Sequence, residues 1–310
     1  MKILVTCPPM LGLYDEFIEK FESVGLTGVP ANVTQVMSEE ELIETLPDYD
    51  GWIIGDDPAT RRVFEAGVKG KLKAAVKWGV GTDNVDFDAC KDLDIPIINT
   101  PGVFGREVAD VAMAYVLGLA RQTYRIDREI RENKAWPKPS GISLWNKKAA
   151  VVGFGDIGQS TVKRLLACDL EVITYDPYFK PVEGLNIDNH VWPDRIGDMD
   201  CIIFTCPLTP QTQHMFDEDI LPKLKPGVRI VNVSRGPVIE EGALLKGLKD
   251  GIVHSAALDV FEIEPLQETS ELRQFDRCIF GSHNGSNTVD AVRVVSHMAI
   301  DRIAGFLKDK

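Results

Sequence analysis

A wholly apolar run, Ala149 to Val152, is followed at once by Gly153-Phe154-Gly155-Asp156-Ile157-Gly158 and then by a helical pattern reaching about Cys168. Few folds accommodate a strand that passes into a helix through three glycines at this spacing. Gly153 permits the tight turn, Gly155 lets the backbone approach a pyrophosphate, and Gly158 allows the helix to pack closely on the strand. The helix start, with Asp156 and Ile157, offers N–H donors that have no partner inside the helix. The competing reading is a glycine-rich turn without a ligand. A second strand, Val172 to Tyr175, delivers Asp176 about twenty residues further on, where a carboxylate accepts hydrogen bonds from ribose hydroxyls and repels a 2′-phosphate. NAD is therefore expected rather than NADP, with a plain strand-end turn residue as the alternative for Asp176. Asp156 would itself be repelled by a pyrophosphate, so it is expected to face solvent and favour the helix N-terminus.

The 310 residues suit two domains, each able to bury its own core. The hydrophobic fraction of 44% and charged fraction of 26% are those of a globular chain, which excludes disordered and solenoid classes. A formal net charge of -13 argues against nucleic acid or an anionic membrane as partner, so an anionic ligand must meet a local basic site. The six cysteines are scattered without a CxxC pair, as expected of buried free thiols in a reducing cytoplasm, and no metal site is expected. The N-terminal MKILVTCPP is too short in its apolar part for a signal peptide, and no run is long enough to span a bilayer.

Before the glycine motif, KILVT, GWIIG, LKAAVKW and IPIINT alternate with amphipathic segments such as Asp15 to Val24, which predicts a small parallel α/β unit ending near Asn99 to Gly102. One long helix is expected from about Glu107 to Glu132. AAVVGFG, EVITYD, CIIFTCPL, VRIVNVS, SAALDVF and CIFGSH then supply six strands of a doubly wound nucleotide-binding sheet. The end of the chain, from about Asn287, reads as one amphipathic helix with Val289, Val292, Val295, Met298, Ile300 and Phe306 apolar, expected to return to the first domain.

Three polar residues stand where apolar strands end: Arg235, Glu264 and His283. The fork of an Arg suits the carboxylate and carbonyl of a 2-oxo acid. A His beside a carboxylate exchanges a proton near neutral pH while the carboxylate fixes its tautomer. Singly, each has an ordinary structural reading; the grouping points to chemistry. Together NTPG, VVGFGDIG, CPLTPQT, NVSRG, ALDVFEIEP and SHNG, with WGVGTDNVD at Trp78 to Asp86, closely resemble the D-isomer-specific 2-hydroxyacid dehydrogenases.

That resemblance implies Arg235 as substrate anchor, His283 as acid/base and Glu264 as its support. NAD would be held by Gly153, Gly155, Asp156, Ile157, Gly158, Asp176, Pro177, Thr205, Cys206, Pro207, Thr212, Val233, Ser234, Asp259, His283 and Gly285, with Asp259 by the nicotinamide. Substrate would meet Trp78, Gly79, Val80, Gly81, Arg235 and His283. A Rossmann-type doubly wound NAD domain over 100–286 and a flavodoxin-like α/β substrate domain over 1–99 plus 287–310 are implied, with cleft closure, a homodimer through the NAD domain and no C-terminal regulatory domain. The motifs are most like the 3-phosphoglycerate dehydrogenase branch, with Arg61, Arg62 or Lys77 as sources of phosphate charge. Gly55-Asp56-Asp57 replaces a basic segment of many relatives, which leaves a reductase of glyoxylate, hydroxypyruvate or another small 2-oxo acid as the alternative. Formate or phosphite dehydrogenases and an NAD-sensing corepressor share the pattern more remotely.

Overall fold

A computed structural model describes residues 1–308. In chain order the strands and helices are β1 (Lys2–Val5), α1 (Pro8–Gly12), α2 (Ile18–Ser23), β2 (Thr27–Pro30), α3 (Glu39–Thr45), β3 (Gly51–Ile54), α4 (Arg61–Lys69), β4 (Ala74–Lys77), α5 (Phe87–Asp92) and β5 (Ile97–Asn99). There follow α6 (Gly105–Arg121), α7 (Thr123–Glu132), β6 (Lys148–Val152), α8 (Asp156–Ala167), β7 (Glu171–Tyr175) and β8 (Asp188–Asn189). Then come β9 (Cys201–Phe204), β10 (Val228–Asn232), α9 (Glu241–Lys249), β11 (Val253–Leu258), β12 (Ile279–Phe280) and α10 (Val289–Lys308). They form two compact units, Met1–Phe104 with the chain from Asn287 on, and Gly105–Ser286.

The first unit is a five-stranded parallel sheet in the order β2-β1-β3-β4-β5. β3 and β4 are buried along their whole length, as befits parallel strands covered on both faces. Side chains set the helix starts: Ser38 and Glu41 form a capping box on α3, Thr60 caps α4 and Asp86 caps α5. α10 belongs to this unit and buries Val292, Val295, Ala299, Ile300, Ile303 and Leu307 at helical spacing. Val289 is exposed instead, and Met298 and Phe306 are half-buried. β2 was not anticipated, because the run Thr27–Pro30 has a Gly and a Pro and lies at the sheet edge, where a Pro is tolerated. The helix expected over Asp15 to Val24 is a 3-10 turn, Tyr14–Phe17, leading into α2.

The second unit is a seven-stranded parallel sheet in the order β12-β11-β10-β9-β6-β7-β8. It contains the six expected strands and one more, β8, whose two exposed residues leave no pattern to read. The single long helix expected from Glu107 to Glu132 is two helices. Gln122 takes a left-handed φ of 55°, and the carbonyl of Ala120, which a continuing helix would use internally, accepts the N–H of Ile142 at 2.9 Å. Gln122 Nε2 also donates to Ser140 O at 2.9 Å, so a segment twenty residues downstream ends α6.

Cys7, Cys90, Cys201, Cys206 and Cys278 are buried, whereas Cys168 is half-buried. Burial pushes the Cys201 and Cys206 thiols up to about 12, which suppresses the reactive thiolate. A disulfide-exchange reagent at pH 8 is therefore expected to titrate at most one thiol quickly in the native protein and six after denaturation. Two or more fast native thiols would contradict this packing.

Candidate active site

In the second unit the strand order reverses between β6 and β9, and open α/β sheets bind ligands at the carboxyl ends beside such a reversal. Gly153 follows β6 with φ 95°, and a Cβ on it would lie 2.7 Å from the Cys206 Cα, so both conformation and space demand glycine. A Cβ on Gly158 would collide with the Gly153 carbonyl, which is what lets α8 descend so close to β6. Gly155, by contrast, has nothing within 4 Å of its Cβ direction, and it caps α8 without a side-chain hydrogen bond. An exposed helix N-terminus with open space above its glycine fits a pyrophosphate.

Asp176 ends β7 and is tied to this loop, its Oδ2 accepting Phe154 N–H at 2.6 Å and its Oδ1 accepting Tyr178 N–H at 2.7 Å. The lone pairs that remain on the carboxylate suit ribose hydroxyls. Asp156 is exposed in the first turn of α8, as its charge requires. Pro177 and Pro207 are exposed, and Ile157 is half-buried.

Several residues expected to touch the cofactor spend their side chains internally. The Thr205 hydroxyl lies 2.9 Å from Gly153 O and 3.1 Å from Val152 O, the Ser234 hydroxyl donates to Asn232 Oδ1 at 2.8 Å, and Thr212 Oγ1 donates to Pro207 O at 2.7 Å. Cys206 and Val233 are buried. The side chains of Thr205, Ser234 and Thr212 therefore brace the strand ends beside the glycine loop.

Arg235, Glu264 and His283 follow β10, β11 and β12, three neighbouring strands. Asn232, fully buried at the end of β10, accepts Ser234 N–H at 3.0 Å and donates through Nδ2 to Arg235 O at 2.9 Å, which holds Arg235 at the strand end. Gly236 then packs so tightly on Phe261 and Glu262 that no Cβ would fit, joining this turn to the segment that carries Glu264. Glu264 Oε1 accepts Phe261 N–H at 2.9 Å, and Oε2 lies 2.7 Å from His283 Nδ1. A carboxylate held by backbone on one oxygen and by imidazole on the other fixes both the ring plane and the tautomer. Nδ1 is thus the ring nitrogen that faces Glu264.

His283 itself has a left-handed φ of 55°, and its N–H donates to Asp259 O at 2.7 Å. Asp259 is buried and is the acceptor for the hydroxyl of Tyr115 and the N–H of Gly285. Asn232 and Tyr115 were not singled out from the sequence. Asn232 is the first residue of the NVSRG string, whereas Tyr115 reads as one more apolar position of α6.

In the first unit, Gly79 has φ 110° and donates its N–H to Thr100 Oγ1 at 2.7 Å. Among the described residues the N–H groups of Val80 and Gly81 have no protein acceptor, and Val80 is exposed. The loop can therefore offer two amides to an anion. Trp78 is different: it is 4% exposed, packs against Phe104 with the rings tilted by 47° and donates Nε1 to Ser296 Oγ of α10 at 3.1 Å. The indole of Trp78 thus lies in the core of the first unit.

The charge at this end of the first sheet is internally matched. Arg61 pairs with Asp92 at 2.8 Å, Arg62 with Glu39 at 2.7 Å, and the buried Lys77 ammonium with Asp56 at 3.2 Å and Trp78 O at 2.9 Å. Asp57 is fully buried and accepts the Thr6 hydroxyl, Met37 N–H and Gly55 N–H; burial raises its carboxyl above the usual range.

Residues 113–285, more than half of the chain, match the family model described as D-isomer specific 2-hydroxyacid dehydrogenase, NAD binding domain. The chain is 35% identical over 277 residues to D-3-phosphoglycerate dehydrogenase 2 of Arabidopsis thaliana, aligning with 88% of this chain but only 44% of that protein. It is 34% identical over 274 residues to the hydroxypyruvate reductase of Thermotoga maritima, covering 86% of this chain and 88% of that one. In structure it is similar to D-lactate dehydrogenase from Escherichia coli, with a TM-score of 0.84, 25% identity and coverage of 100% and 98%.

Replacing Asn232 with Ala would take from the Ser234 N–H and hydroxyl their Asn232 acceptor and leave the Arg235 carbonyl with the Val238 N–H at 3.3 Å. The expected loss is roughly 1–3 kcal/mol of stability, read as a lower denaturation midpoint; an unchanged midpoint would show that these bonds do not hold the turn.

Proposed function

The chain belongs to the D-isomer-specific 2-hydroxyacid dehydrogenases, and from that premise we propose that it interconverts a D-2-hydroxy acid and its 2-oxo acid with NAD(H). The observation that carries this is the 2.7 Å His283 Nδ1 to Glu264 Oε2 pair beside Arg235 at the ends of adjacent strands. NADH supplies the hydride when bound across Gly153 to Gly158 and Asp176. In the reducing direction, the Arg235 guanidinium anchors the substrate carboxylate and polarises the carbonyl. His283 Nε2 gives its proton to the carbonyl oxygen as charge builds there, and Glu264 stabilises the imidazolium beforehand. In the oxidising direction Nε2 takes the hydroxyl proton.

For substrate, we favour a small unphosphorylated 2-oxo acid of the glyoxylate or hydroxypyruvate kind. What supports this is charge: Arg61, Arg62 and Lys77, the residues that could meet a phosphate, each already face a carboxylate. 3-Phosphohydroxypyruvate is the second reading, favoured by the motif strings and by the relatives named as 3-phosphoglycerate dehydrogenases. A homodimer is also part of the reading. Its support is a run of exposed apolar side chains in the second unit, Leu117, Tyr124, Ile130, Trp136 at 78% exposure and Trp145 at 67%, more than a lone unit leaves to water without a partner. Residence in the cytoplasm fits six unpaired cysteines.

Purified protein with NADH and a panel of 2-oxo acids is expected to show the highest kcat/KM for an unphosphorylated member. A clear preference for 3-phosphohydroxypyruvate would overturn the substrate assignment, and no turnover of any member would overturn the activity. In the same assay His283→Ala should lose about a hundredfold to ten-thousandfold in kcat while still binding NADH, and Asp176→Ala should raise the NADH KM far more than it alters kcat. Wild-type turnover in His283→Ala would remove that residue from the mechanism. Sedimentation equilibrium should give twice the chain mass; a monomer at micromolar concentration would refute the dimer.

A further inference from the structure

Asp259 is 4% exposed, and both of its carboxylate oxygens are engaged. Tyr115 Oη donates to Oδ1 at 3.1 Å, and Gly285 N–H donates to Oδ2 at 2.8 Å. Its backbone is engaged as well: the N–H donates to Asn232 O at 2.9 Å, and the carbonyl accepts His283 N–H at 2.7 Å. One residue at the end of β11 thus grips the chain at His283 and again two residues later. Gly281 N–H adds a third bond, to Leu258 O at 2.7 Å. The loop needs such bonds because His283 sits in a left-handed conformation that a residue with a side chain rarely adopts unless its surroundings impose it.

Tyr115 reaches this point from the middle of α6, the helix that packs on β10, β11 and β12. Burial first, and then the charge of Asp259, push its phenol well above the ordinary tyrosine range, so the hydroxyl keeps its proton and serves as a donor. The fit is close. A Cβ on Gly281 would collide with both Asp259 Oδ1 and the Tyr115 hydroxyl, so the glycine backbone closes over the hydrogen bond. A buried carboxylate that loses one of two donors is left partly unsatisfied and must turn toward another or draw in water. Either movement takes Oδ2 away from Gly285.

We propose that Tyr115 is a positioning residue for His283: by donating to Asp259 Oδ1 it aims Oδ2 at the Gly285 amide and so fixes the loop that presents the imidazole to Glu264. Its kinetic consequence rests on the reading of His283 as the acid/base; its effect on the loop does not. Small displacements of a reacting group lower turnover steeply, because proton transfer needs hydrogen-bond geometry.

Tyr115→Phe keeps the ring and removes only the donor, and hydrogen exchange of the full chain reads the loop directly. Exchange of the peptide spanning 281–286 is expected to rise about tenfold or more, while peptides from β6, β9 and β10 keep wild-type rates. With the preferred 2-oxo acid, kcat is expected to fall about tenfold with the NADH KM within twofold of wild type. In the background of Asp259→Asn the same change should alter kcat by less than twofold, since Tyr115 acts through that carboxylate. Unchanged exchange over 281–286 overturns the proposal, as does a uniform rise across the whole unit, which marks mere support of the fold. A loosened loop with wild-type kcat overturns the link to His283. If the wild-type protein turns over no substrate, the activity reading fails, and the exchange measurement still decides what Tyr115 does.

Discussion

The backbones of Gly153 and Cys206 approach so closely that a single methyl group between them would not fit, and much else in the second unit follows from that contact. It lies where β6 and β9 part to send their connections to opposite faces of the sheet. A parallel sheet leaves a crevice there, and its depth depends on how little side chain fills it. Glycine at 153 keeps the crevice open, glycine at 158 brings α8 down onto it, and Thr205 bonds the carbonyls beneath it. The first unit repeats the arrangement at the reversal between β1 and β3, where a Cβ on Gly55 would lie 2.9 Å from the Cys7 Cα. The same strand-order geometry therefore produces two crevices with opposite linings. One has an exposed helix N-terminus suited to phosphate; the other is floored by the buried carboxylate of Asp57.

Around the proposed acid/base, the protein fixes groups by occupying both ends of each one. Glu264 is bound by Phe261 N–H on one oxygen and by His283 on the other. Asn232 accepts from Ser234 and donates to the Arg235 carbonyl. Glu241 accepts Glu262 N–H at 2.8 Å, and burial raises its carboxyl above the usual range. Preorganisation of this kind matters more than the strength of any one bond. A polar group already held in a crevice shielded from water does not have to reorganise as charge develops on the substrate.

What could be read from the sequence was whatever announces itself locally. The three glycines after Val152 and the polar residues that close the apolar runs at Arg235, Glu264 and His283 needed no knowledge of distant contacts, because strand ends and tight turns impose their own residue types. The break of the long helix at Gln122 could not be read. Between Glu107 and Glu132 there is no proline and the one glycine, Gly118, lies inside α6, whereas the group that ends α6 is the Ile142 amide, which only folding brings to Ala120. The setting of the Trp78 indole could not be read for the same reason, because its partner, Ser296 of α10, lies more than two hundred residues later. Tyr115 carried no signal at all, since one hydroxyl on an otherwise apolar helix face leaves the hydrophobic period intact.

The acidic balance of the chain gains meaning from where its basic groups stand. With a net charge of -13, a lysine or arginine that faces a ligand is useful only if no carboxylate of the protein reaches it first. In the first unit that condition fails at Arg61, Arg62 and Lys77, and it fails most firmly at Lys77, whose buried ammonium is shared between Asp56 and the Trp78 carbonyl. A dianionic phosphate arriving there would have to displace Asp56 and leave that carboxylate beside the new negative charge. An anion held by the Val80 and Gly81 amides alone would meet no such competition, because those donors are neutral. Asp56 thus matters less for the negative charge it adds than as an internal partner for the positive charge of Lys77.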